Sequence, residues 1–241
     1  VRFPYPSNYA LIFLLSAAAL LIAFSGFALI RESVYPVERA SPSLGHLLRR
    51  AVVLARQNAN FRRLLGAQAL TVTVMALAPF YMVYARSEAG VDLGMVGIYL
   101  SAQMAGAALS NLLWGWLGDR HGNRSVIIGT AVTGGAAPLL ALMAPETTES
   151  WFVLVFAFLG ATMSGLRLGY SNFILEMAPV EMRPTCVALQ STLLAPVALL
   201  PLVVGILIEA WSYPVLLAGG VLLMAVAAWL GASGPDNTAV V

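Results

Sequence analysis

The ten residues Gly115–Arg124, GWLGDRHGNR, gather Asp119, Arg120, His121 and Arg124 among three glycines. The flanking stretches, ALSNLLW and SVIIGTAV, carry no charge. Each residue type has a physical use in such a turn. Gly115 and Gly118 lack side chains that would hold a neighbouring helix away. Gly122 tolerates the positive φ that a tight turn often needs. Asp119 would be favoured at the positive N-terminus of an adjacent helix by about 0.3–2 kcal/mol. Arg120 and Arg124 are suited to a carboxylate on another helix or to a lipid phosphate.

A second candidate is Arg167, in FLGATMSGLRLGYSNFILE. It lies nine residues before Glu176, roughly 13 Å along a helix at about 1.5 Å per residue. An arginine at that depth of a membrane costs about 2.5–3.5 kcal/mol on insertion scales. It therefore belongs in a wet cavity or against a partner; the readings are a substrate-cavity cation, a structural partner to helix carbonyls or an acid, and snorkelling. As a substrate ligand it favours an anionic solute. Tyr170 and Asn172 follow on the same stretch. Gln103, Ser110, Asn111, Gln68, Thr71 and Thr73 are further uncharged polar groups in apolar surroundings. Hydrogen bonding between helices is their usual role, at about 0.6–2 kcal/mol each. Gln68, Gln103 and Asn111 are also cavity candidates.

These residues sit in a chain that is 60% hydrophobic and 10% charged, against roughly 45–50% and about 25% for soluble domains. Long windows hold no charge at all, such as those between Arg2 and Arg31, Asp92 and Asp119, and Arg183 and Glu209. Some 20 apolar residues suffice to cross the hydrocarbon layer as a helix. Seven spans are expected, near 8–30, 64–85, 93–117, 125–144, 151–176, 186–208 and 212–232. Barrel strands would alternate over about ten residues, and these stretches do not. The first span is too long for a cleavable signal and lacks a basic start and a small-residue cleavage site. The chain opens on Val1 rather than Met, which reads as a fragment or an unusual start.

Several chemistries lack their residues. There is one cysteine, Cys186, and the two histidines, His46 and His121, fall outside the spans, so no metal site or cofactor is expected. All thirteen basic residues are arginine, which fits a GC-rich bacterial genome and leaves no lysine for a Schiff base. No GxxxxGK[ST] stretch is present, so direct use of ATP is not expected. No span carries a central Asp or Glu, so a proton-driven cycle would need its acid elsewhere. No enzymatic activity and no nucleic-acid partner are expected.

Alternating the loops between the two sides puts ten arginines on one side (31, 39, 49, 50, 56, 62, 63, 120, 124 and 183) and only Arg2 and Arg86 on the other. Arginines collect on the cytoplasmic side. The N-terminus is therefore expected outside, the C-terminus inside, and GWLGDRHGNR in the cytoplasm of a cell whose inner membrane holds the protein. The loop 31–63 opens with Pro36 and Pro42, which oppose regular structure. Its SLGHLLRRAVVLARQ segment can form an amphipathic helix capped by Ser43, with Leu44, Leu47, Leu48 and Val52 on one face; a solvated linker helix is the plainer reading. Asn60 is the expected N-cap of the following span.

GWLGDRHGNR resembles the cytoplasmic signature of the major facilitator superfamily, G-x-L-a-D-R-x-G-R-K. Gly115, Leu117, Asp119, Arg120 and Gly122 match, Arg124 keeps the basic character of the last position, and Asn123 departs from the usual arginine. Two further segments resemble the family. LEMAPVEMRPT, with Glu176 and Arg183, is similar to the turn after the tenth helix, and APFYMVYA is similar to the proline-broken helix that opens the second half. The resemblance implies an all-α membrane protein: residues 1–30 as the sixth helix of a twelve-helix transporter, 31–63 as the central linker, 64–233 as the six-helix C-terminal bundle and 234–241 as a cytoplasmic tail. It implies secondary transport of a small solute by alternating access, with Gly115, Asp119, Arg120, Gly122, Arg124, Glu176 and Arg183 forming the cytoplasmic gate. The partners it implies are the bilayer, the solute and a missing N-terminal half. The alternative is a seven-helix receptor or another non-transporting membrane protein. Against the receptor stand the absent extracellular cysteine pair and the long loop after the first span.

Overall fold

A computed structural model describes residues 7–30, 45, 49, 53, 58–144, 149–178 and 183–233. The chain divides into two compact units, Val1–Pro42 and Ser43–Val241. The expected surface helix of the linker and the tail 234–241 lie outside the described residues, apart from isolated linker positions.

The first unit contains α1, Ser7–Ala28. It is apolar on every side, and Leu14, Leu21, Ile22 and Phe24 are all more than half exposed within the unit. A helix with no polar face suits a hydrocarbon environment rather than water.

The second unit contains α2 (Ala59–Met75), α3 (Ala78–Ala89), α4 (Val96–His121), α5 (Asn123–Leu142), α6 (Trp151–Met177), α7 (Arg183–Leu194), α8 (Leu200–Ala210) and α9 (Tyr213–Ala232). No strand occurs among the described residues. Pairs α2–α3 and α7–α8 each make one broken span, so seven segments among the described residues are long and apolar enough to cross a membrane, as the charge-free windows predict.

Proline chemistry sets both breaks. Pro79 cannot donate to the carbonyl four residues back, and the chain tightens there, with Leu77 N–H bonded to Val74 O (3.0 Å) and Phe80 N–H to Leu77 O (2.9 Å). Pro196 lies within a 3-10 segment, Ala195–Leu199, and Pro201 follows at the start of α8. Ser191 and Thr192 just upstream turn their hydroxyls onto the carbonyls of Val187 and Ala188, a pattern that bends helices. One expectation is corrected: α2 is capped by Asn58, not Asn60. Asn58 has the extended backbone that a cap requires (φ −103°, ψ 106°), and its Oδ1 accepts from Phe61 N–H at 3.0 Å.

Backbone contact at glycines assembles the bundle. A Cβ on Gly160 would stand 1.9 Å from Gln103 O, and one on Gly106 would stand 2.2 Å from Ala157 O. Helices α4 and α6 therefore touch main chain to main chain, as small residues permit in membranes. Trp114 closes the seam by donating from Nε1 to Ala161 O (3.0 Å). Gly165 receives Thr130 of α5, and Gly134 of α5 receives Met224 of α9. Tyr99 stacks on Phe156 (5.0 Å, 12°) and donates to Glu149 O (2.8 Å).

Candidate functional site

Two ends of the bundle differ in charge. At one end Arg63 Nη1 donates to Ser233 O (2.8 Å), and Arg124 donates from Nε to Gly231 O (2.8 Å) and from Nη2 to Ala232 O. The starts of α2 and α5 therefore meet the end of α9. Glu176, at the end of α6, lies there too, because Asn123 Nδ2 donates to its Oε1 at 2.6 Å. At the other end the backbone N–H of Asp92 approaches Glu149 Oε1 (3.3 Å), and Tyr84 lies 5.4 Å from Tyr213. The GWLGDRHGNR turn thus shares its end with Arg63.

Within the turn, Gly122 has φ +79°, ψ 161°, a conformation strained for residues with a Cβ. Its N–H bonds Gly118 O (2.9 Å), its carbonyl accepts from Ser125 N–H (3.1 Å), and the chain passes from α4 to α5 with one intervening residue. A Cβ on Gly118 would meet Asn123 Oδ1 at 3.3 Å, whereas one on Gly115 would meet nothing within 4 Å.

The ionisable residues take different partners from those of a single charge cluster. Arg120 lies over the Trp116 ring (5.8 Å), which also meets His121 edge-on. Arg183 Nε reaches Ala178 O at 3.4 Å. Asp119 is exposed and makes no hydrogen bond or ion pair with another described residue. Arg124 interacts with the carbonyl end of α9, where a cation complements the helix dipole by about 0.3–1 kcal/mol. The departure at Asn123 has a direct consequence: a neutral amide, not an arginine, holds Glu176. Sequence reasoning noted the departure and missed the contact.

The cavity candidates separate into inward and outward groups. Tyr170 is fully buried and shares a 3.0 Å hydrogen bond with Thr71 of α2, whose hydroxyl donates to Ala67 O (2.8 Å). Gln68 is half-buried and accepts from Gln190 of α7. Gln103 reaches from α4 to Met163 Sδ of α6 (3.0 Å), and the exposed Asn111 accepts from Ser164. Arg167 and Asn172 are exposed, as is Ser171, and none of the three bonds another described residue. Met163, Arg167 and Ser171 follow one another at four-residue spacing and so share a side of α6. A small cavity between α3, α8 and α9 is lined by apolar and aromatic side chains including Phe80, Tyr81 and Tyr213. It has no charged lining, and Tyr81 Oη there finds no partner among the described residues.

Seven apolar segments, a charged turn at one end and a polar exposed strip along one helix define a multi-pass helical membrane protein. Residues 64–240 match the family model of the Major Facilitator Superfamily, and the chain belongs to that family, as a major facilitator transporter. No curated protein matches the chain.

Proposed function

We propose that the chain moves a small solute across the cell membrane by alternating access, with residues 64–233 rocking as one body against an N-terminal half. The N-terminus lies outside, the C-terminus and the GWLGDRHGNR turn in the cytoplasm, and the basic end of the bundle meets anionic head groups. Residues 31–63 serve as the linker and 1–30 as a helix of the other half. The observation that carries this reading is the exposed polar strip of Arg167, Ser171 and Asn172 on a helix whose opposite side is buried in the bundle. Such a strip has no place against lipid and suits a water-filled passage between two bodies.

Gln103 and Asn111 border that passage from α4, and Gln68 borders it from α2. Tyr170 supports it from within by tying α6 to α2. At the cytoplasmic end, Gly115, Asp119, Arg120, Gly122, Arg124, Glu176 and Arg183 form the gate. Asn123–Glu176 holds the turn on α6, Arg124 anchors it on α9, and the exposed Asp119 and Arg120 face the other half. Closing the gate desolvates Asp119, so a partner charge there matters more than at an open surface.

Replacing Asp119 by Asn should shift the transporter towards the inward-open state. The measurement is cytoplasmic labelling of a cysteine placed at Asn172 in a Cys186→Ala background. Faster labelling is expected with Asp119→Asn, and an unchanged rate would remove Asp119 from the gate.

A further inference from the structure

We infer that the α6 strip selects organic anions: solutes with a carboxylate or comparable oxyanion on a largely apolar body. This rests on the transport reading above and adds the sign and chemistry of the cargo. Arg167 is the only charged residue between Glu149 and Glu176. The acids of the other spans, Glu88, Asp119 and Glu209, stand at span ends, and none forms an ion pair with Arg167 among the described residues. The strip therefore carries an unbalanced positive charge in surroundings where charge is poorly screened, which attracts an anion and repels a cation. The guanidinium is a planar fork of donors that matches a carboxylate with two parallel hydrogen bonds.

The neighbours suit the same cargo. Ser171 is one turn from Arg167, and Asn172 follows it; both are exposed and uncharged. Met163 and Leu175 are exposed on the same helix, 43% and 40%, and Gln103 lies against the Met163 sulfur. Donors flanked by exposed apolar side chains fit a solute with one charged head and an apolar remainder. A cationic drug-like solute would meet a like charge without a compensating acid, and a neutral one would leave the guanidinium unpaired.

The test reads the local potential and needs no identified substrate. Cys186, the one native cysteine, is buried and is replaced by Ala; Ser171→Cys then supplies the only thiol, one turn from Arg167. In the full chain, reconstituted in nanodiscs, its rates with anionic sulfonatoethyl and cationic trimethylammonioethyl methanethiosulfonate are compared, each relative to free cysteine. The anionic reagent should be favoured about tenfold, as expected for one poorly screened charge at this distance. Arg167→Gln should abolish the preference, and Arg167→Lys should keep it. Benzoate should slow labelling, whereas benzamide and benzamidine, of matched shape, should not.

No reaction with either reagent would place the strip against lipid and overturn the inference. A rate ratio indifferent to Arg167→Gln would mean that the charge is neutralised by another group, and would overturn it equally. Benzamidine protecting as well as benzoate would overturn the choice of anion. The Asp119→Asn measurement reports the gate and is insensitive to the sign of the charge at Arg167, so a failure of the transport reading is distinguishable from a failure of this one.

Discussion

The outward faces of α5 and α9 and that of α6 belong to one bundle but are made of different material. On α5 the exposed positions are Val132 and Leu139; on α9 they include Val215, Leu222, Val226 and Trp229. On α6 Arg167, Ser171 and Asn172 interrupt exposed apolar residues such as Leu154, Met163 and Leu175. Every one of these helices is apolar enough to span a membrane. Average hydropathy therefore says that a helix enters the bilayer and nothing about what its exposed side meets. The difference is local. Lipid demands an unbroken apolar surface, because a charge facing hydrocarbon costs about 2.5–3.5 kcal/mol; a helix bordering water is free of that demand.

The largest expected effect separates function from folding on the polar face. Arg167→Ala should abolish uptake in the complete transporter while leaving membrane expression intact; undiminished uptake would remove Arg167 from the solute path. The reciprocal change puts a charge on the apolar face. Val226→Arg should destabilise the inserted bundle by about 2.5–3.5 kcal/mol, seen as a collapse of folded protein in a detergent thermal-stability assay. Wild-type stability in that variant would mean that the exposed face of α9 does not meet lipid, and the contrast would dissolve.

A change in the seam behind the polar face should have a smaller effect on stability. Gly160→Val forces α4 and α6 apart where a Cβ would already stand 1.9 Å from a carbonyl oxygen. A loss of about 1–3 kcal/mol is expected, read from the melting temperature, together with poorer solute discrimination as the α6 strip shifts against α4. The smallest effect belongs to the buried support. Tyr170→Phe removes a hydrogen bond but leaves Thr71 bonded to Ala67 O, so about 0.6–1.7 kcal/mol should be lost. A loss of uptake with unchanged stability would instead put the Tyr170 hydroxyl in the solute path.

The spans were legible because charge-free windows of adequate length admit few other structures. The break at Pro79 was legible in APFYMVYA, but a missing proline donor alone does not mark a break: Pro196 and Pro201 accompany one, whereas Pro138 sits inside the unbroken α5. Facing was harder. Tyr170 and Arg167 are three residues apart, yet one is fully buried and the other exposed. A helix that is apolar nearly all round carries no stripe from which its buried side can be read. The cap of α2 was misplaced by two residues because Asn58 and Asn60 are chemically identical, and only the backbone angle distinguishes a cap from a first-turn residue. Asn123 stood out as a departure from the family pattern, but its reach to Glu176 depends on how the ends of α4 and α6 lie together, and spacing along the chain does not encode that.

The carbonyl end of α9 is gripped by arginines arriving from two directions, Arg63 at the start of α2 and Arg124 at the start of α5. Side-chain hydrogen bonds alone thus join the starts of α2 and α5 to the end of α9 at one rim, and the signature turn is tied to the start of α2 through the last residues of a third helix.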